Sequence, residues 1–150
     1  MKALYLFLVM AISINLFGCS KQKQVNKSEI QIADTMKLKI SVGTNVFSAT
    51  LHNNATAAAF KARLPMTINM SELNGNEKLF DLQNSLPAAA SNPGTIREGD
   101  LMLYGSNTLV LFYKTFPTSY SYTRIGRIDN SSGLAAALGS GNIHVTFETE

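Results

Sequence analysis

The chain has 150 residues, 45% of them hydrophobic and 15% charged, with a formal net charge of +3 and a single cysteine. That length suits one domain with one core, and a lone cysteine excludes an internal disulfide framework. Over 36–150, five Lys and four Arg stand against three Asp and five Glu, a balance of +1, so charge makes no case for nucleic acid as a partner.

Lys2 opens the chain, and an apolar run from Ala3 to Phe17 follows, broken only by Ser13 and Asn15. Its 15 residues fall short of the roughly 20 that a permanent membrane-crossing helix needs. A basic start, a short apolar stretch and a small residue at its end are the parts of a secretory signal. Leu16-Phe17-Gly18-Cys19 resembles the lipobox of bacterial lipoproteins, in which the Cys sulfur takes a diacylglycerol and the peptide is cut just before it. The reading is a signal peptide over 1–18 and lipidation at Cys19, with fatty acyl chains, palmitate among them, holding the chain to a membrane. Several chains anchor firmly where one alone binds marginally. The expected address is the cell envelope, and Ser20 after the Cys favours the outer membrane if the host has one.

Residues 20–35 are polar and mixed in charge, with too few apolar side chains to offset ordering entropy. They read as a tether, with Glu29–Ile32 able to join a sheet edge; the folded domain is expected over 36–150. Lys37–Val42 and Val46–Leu51 alternate around Gly43-Thr44-Asn45 and predict a hairpin. Asn53 or Asn54 can cap a helix over Ala55–Leu64, which Pro65 stops. Met66–Met70 alternates as a strand. Glu72, Glu77 and Asp81 gather around Asn74-Gly75-Asn76 as a solvated loop, without the oxygen spacing of a calcium loop. Loop 82–98 carries Pro87 and Pro93. Leu101–Tyr104 and Thr108–Lys114 flank Gly105-Ser106-Asn107 as a second hairpin, and Tyr122–Ile128 and Asn142–Glu148 complete the strands around a short helix at Leu134–Leu138. Many short strands with few helices predict a mostly β fold, a small closed barrel.

The order of these elements resembles a family of small bacterial cyclophilin-like domains. The likeness rests on the first hairpin, the Asn-Ala-Thr-Ala-Ala-Ala-Phe helix and Leu64-Pro65-Met66-Thr67. It continues through Gly99-Asp100-Leu101-Met102-Leu103-Tyr104, Leu111-Phe112-Tyr113 and Thr123-Arg124-Ile125-Gly126-Arg127-Ile128. The resemblance implies an eight-stranded barrel and a fold whose best-known members isomerise X–Pro bonds. Such isomerases carry an Arg just after the first helix, which donates to the prolyl nitrogen as the bond twists, against an uncatalysed barrier of about 18–20 kcal/mol. The corresponding stretch here, Met66-Thr67-Ile68-Asn69-Met70-Ser71-Glu72, has none. The isomerases' paired aromatics give way to Leu109-Val110-Leu111-Phe112, and their Trp and late His have no match around Ser119–Tyr122.

Other chemistry finds little support. His52 and His144 are far apart and no cysteine remains to ligate beside them, so no metal and no cofactor are expected. No serine sits in a nucleophile elbow, and Gly139-Ser140-Gly141 reads as a turn. Tyr113, Phe116, Tyr120 and Tyr122 cluster with Arg124 and Arg127, a composition suited to a shallow recognition groove. Ile125 and Ile128 fall on opposite faces of a regular strand, so alternation leaves the core side of that strand open. The leading expectation is a non-catalytic binding domain that holds a peptide or small molecule through Met66, Met70, Phe112, Tyr113, Tyr120 and Arg124. The alternatives are a weak prolyl isomerase using Arg124 and a purely structural envelope lipoprotein.

Overall fold

The computed structural model describes residues 37–150, so the signal peptide, Cys19 and the tether lie outside the described residues. Among those described, no helix is long and apolar enough to cross a membrane.

Eight antiparallel strands close into a barrel. In chain order they are β1 Lys37–Val42, β2 Asn45–Leu51, β3 Met66–Leu73, β4 Glu77–Asp81, β6 Asp100–Tyr104, β7 Thr108–Phe112, β9 Thr123–Ile128 and β10 Ile143–Thr149. Around the barrel they run β1-β10-β3-β4-β7-β6-β9-β2, and β2 closes on β1 from Lys37↔Thr50 to Val42↔Asn45. Closure leaves no unpaired edge, and at eight strands the interior is just wide enough for side chains to fill. Leu38, Ile40, Leu101, Leu103, Leu109, Leu111, Val145 and Phe147 fill it, all fully buried.

The two ends are plugged by different elements. Helix α1 (Ala55–Lys61) follows β2 and drops Phe60 into the barrel, its ring edge-on to Phe147 at 5.6 Å. Asn54 caps it, accepting the Ala57 N–H at 2.8 Å, a bond of about 1 kcal/mol. The helix ends at Lys61, three residues short of the expected Leu64. The Arg63 and Leu64 N–H groups turn to the carbonyls of Phe60 and Lys61 instead, because a residue before proline is pushed out of helical geometry. Leu82 and Leu86, from the segment after β4, complete the plug, and Leu86 N–H donates to Ser106 O at 2.7 Å. At the opposite end, helix α2 (Leu134–Leu138) buries Leu134 and Leu138.

The expected solvated loop around Asn74-Gly75-Asn76 is the tip of a hairpin joining β3 to β4, with Glu72 opposite Lys78 and Leu73 opposite Glu77. β4 itself was not expected. β9 resolves its ambiguous pattern with a bulge: Leu101 pairs with Gly126 and Met102 with Arg124, leaving Ile125 over. The extra residue shifts the phase of alternation, so Ile125 and Ile128 both enter the core. Gly126 beside it lies against β2, where an added Cβ would meet Thr50 O at 2.8 Å.

Candidate functional site

Alternation gives β4, β6 and β7 an outward as well as an inward face. Met102, Val110 and Phe112 point outward into a second, smaller apolar cluster with Ile96 and Tyr122. A ribbon of β5 (Thr95–Ile96) and β8 (Phe116–Pro117) lies over this cluster, bringing the Phe116 ring to 5.8 Å from Phe112. The Tyr122 ring packs edge-on to Phe112 at 5.4 Å, and its backbone exchanges two 3.0 Å hydrogen bonds with Ser91.

Beside this cluster lies a groove of about 310 Å³, at the lower end of the range for small-molecule sites. Leu79 and Val110 line it together with Leu73 and Asn74 from the β3–β4 tip, Glu77 from β4 and Thr108 from β7. Tyr104, Tyr120 and Tyr122 complete the lining. The Tyr104 ring stands 5.5 Å from Tyr122 at 52° and 6.2 Å from Tyr120 at 88°. The loop carrying Tyr120 is pinned: Thr118 N–H donates to Gly94 O at 3.0 Å, Asn92 Nδ2 to Ser119 O at 3.0 Å, and Tyr120 N–H to Thr118 Oγ1 at 3.1 Å. Among the described residues four large hydrophobic side chains are exposed, and three of them, Leu73, Tyr104 and Tyr120, line this groove.

Glu77 is the groove's one charged lining residue. Burial, with the Glu72 carboxylate nearby, pushes its carboxyl up from the ordinary glutamate value. Burial and then the Glu77 charge raise the Tyr122 phenol.

A polar cluster occupies the α2 end of the barrel. Lys78 points inward from β4 and is fully buried. Its Nζ pairs with Glu72 Oε2 and donates to Gly139 O at 2.9 Å and Gly141 O at 2.6 Å. Tyr113 Oη donates to the other Glu72 oxygen at 2.7 Å, and its ring lies 5.4 Å from the Lys78 ammonium. Burial, then the hydrogen bond to Glu72, pushes the Tyr113 phenol up to about 12. For Glu72, burial works to raise the carboxyl, but Lys78, Tyr113 and the Gly75 N–H outweigh it and hold the group low. Every proton of the ammonium has an acceptor, which is what a fully buried charge requires.

The six residues expected to hold a ligand do not converge. Met70 is inside the barrel with no exposure. Met66 lines a depression near α1 with Arg63, Ile68 and Phe80. Phe112 is buried in the outer cluster, behind the groove, and Tyr113 belongs to the polar plug. Arg124 lies in a separate cleft with Asn54, Thr56 and Pro87–Ala89. Tyr120 alone lines the groove. The sequence reading omitted Tyr104, Glu77, Leu79 and Val110. A tyrosine closing an apolar strand just before a Gly-Ser-Asn turn was the available signal for Tyr104, since a strand end facing inward calls for no hydroxyl. His52 and His144 are both exposed, and among the described residues no three His, Cys, Asp or Glu side chains form a metal-binding group.

The solution structure of a hypothetical protein from Archaeoglobus fulgidus is similar to this chain with a TM-score of 0.54, covering 78% of this chain and 96% of that one at 20% identity. At that identity the likeness is one of fold. No curated protein matches the chain. The family model described as the cyclophilin-like family matches residues 40–148, a span from β1 into β10 that takes in the groove and nearly all of the barrel. The chain belongs to the cyclophilin-like family.

Proposed function

We propose that this chain is a non-catalytic cyclophilin-like binding domain of the cell envelope, anchored through lipid on Cys19, whose tyrosine-walled groove holds a peptide segment or small molecule. The observation that carries the reading is the gathering of exposed apolar surface: Leu73, Tyr104 and Tyr120 all line the same groove. Exposed apolar side chains scattered singly need no explanation, whereas a concave cluster of them marks a binding site.

The chemistry of the lining supports binding without catalysis. Twisting a prolyl amide through its barrier calls for a donor aimed at the amide nitrogen. Arg63, Arg97, Arg124 and Arg127 are the arginines of the described residues, and none lines the groove. Arg124, the candidate for a relocated guanidinium, lines the cleft beside Pro87.

Two assays on the purified full chain test this. In the first, a prolyl-isomerisation assay beside Arg124→Ala should give no rate above background in either protein. A rate that vanishes in the variant would establish the isomerase alternative. In the second, a library of short peptides and small fragments is titrated against the wild type, Tyr104→Ala and Tyr120→Ala. Binding should weaken at least tenfold in both variants, the loss expected when an aromatic anchor is removed. Binding unchanged in both would remove the groove from consideration, and no binder at all would favour a structural envelope role.

A further inference from the structure

We propose that the ligand of this groove is a small organic cation, an alkylammonium head seated between the Glu77 carboxylate and the rings of Tyr104, Tyr120 and Tyr122; the inference rests on the groove reading above. It begins with the pairing of the acids. The partly or fully buried Glu72 and Asp100 each have donors: Lys78, Tyr113 and Gly75 for Glu72, and the Arg97 N–H and Arg127 for Asp100. Glu77, like Glu72, is partly buried, yet among the described residues its carboxylate makes no ion pair and accepts no hydrogen bond. Its chain neighbour Lys78 cannot supply the missing charge. That ammonium points through the other face of β4 and is committed to Glu72, Gly139 O and Gly141 O.

An unpaired carboxylate in a partly desolvated groove is a standing cost that a cation would relieve. The remaining lining matches such a partner. Three phenol rings inclined at 52° and 88° to one another offer aromatic surface from more than one direction, the arrangement that attracts a cation through the ring quadrupoles. Two of the rings are largely exposed, Tyr104 at 47% and Tyr120 at 62%, so a ligand can reach them without moving the core. A volume of about 310 Å³ takes an ammonium head and a short chain.

The test is choline against its uncharged isostere 3,3-dimethylbutan-1-ol, both titrated into the purified full chain at constant ionic strength. Tyrosine emission is the readout, because the chain has five tyrosines and no tryptophan. Choline should saturate the signal and the isostere should bind about tenfold more weakly or worse, the scale of a partly desolvated cation–aromatic contact with a carboxylate beside it. Glu77→Gln should bring choline down to the level of the isostere without affecting the isostere. Tyr120→Ala, at an exposed position, should weaken choline while leaving the fold intact. Equal affinity for both probes, or indifference of choline to Glu77→Gln, would overturn the inference while the groove itself stood as an apolar site. No saturation by choline would overturn it as well, and the library titration with Tyr104→Ala and Tyr120→Ala would then judge the groove independently.

Discussion

Glu72 and Glu77 stand five residues apart on one hairpin, and their surroundings push them in opposite directions. The carboxyl of Glu72 is held below its ordinary 4.5 by Lys78, Tyr113 and the Gly75 N–H, against the opposing effect of burial. A group whose folded value is depressed stabilises the fold above its unfolded value, and that stabilisation is lost as the pH falls through the folded value. For Glu72 the loss therefore falls below about pH 4.5. Glu77 is raised by burial and by Glu72, so the stability linked to it is present in acid and is lost as the pH rises through its folded value. Urea titrations across this range should show Glu72→Gln less stable than wild type at neutral pH and less sensitive to acid. Glu77→Gln should match or exceed the wild type at neutral pH, since it removes a half-buried charge without a partner. Lys78→Met should cost about 3–5 kcal/mol, the loss expected when one member of a buried pair is removed. A Lys78→Met midpoint equal to wild type would mean that the plug contributes nothing to the fold.

At the scale of elements, the parts the sequence left unread are those where a local rule meets a tertiary exception. Glu77–Asp81 alternates with Lys78 and Phe80 inward. A lysine at an inward position defeats a hydrophobicity pattern, so the strand reads as part of a charged loop; inside the barrel that lysine is met by Glu72 from the neighbouring strand and by two carbonyls of the segment after α2. β5 and β8 have two residues each, too short for any periodicity to register. In β9 the bulge at Ile125 breaks the alternation that the sequence was read against. Gly126 sits at that bulge under the Thr50 carbonyl, with no room for a side chain. Gly126→Ala should therefore cost about 1–3 kcal/mol, as overpacking against backbone does. Thermal unfolding measures it, and an unchanged midpoint would show that β2 can move aside.

On the scale of the whole molecule, the barrel keeps its inner space for packing and places recognition on its outside. Both ends are closed, one by Phe60, Leu82 and Leu86 and the other by Leu134, Leu138 and the Lys78 cluster. The ribbon of β5 and β8 builds a second apolar layer on one outer face, and the groove lies where that layer stops. The proposed lipid on Cys19 belongs to this scale too, because it would decide where the groove is presented. Cys19→Ser should move the protein from the membrane fraction to the soluble fraction, and fractionation of expressing cells reads it directly; continued membrane association in that variant would remove the lipid anchor from the proposal. The sequence by itself determined the barrel, seven of its eight strands to within a few residues, the cap of α1 to one of two neighbouring asparagines and the whole of α2. These depend on alternation, turn residues and caps, which are local chemistry. It did not determine the groove. Glu77, Tyr104 and the Tyr120–Tyr122 segment lie on three separate stretches of chain, and the pairing of β6 with β9 and of β4 with β7 brings them together. The six residues singled out from sequence scattered for the same reason: being close along the chain or alike in chemistry does not say which face of a closed sheet a side chain takes, and register alone sets that face.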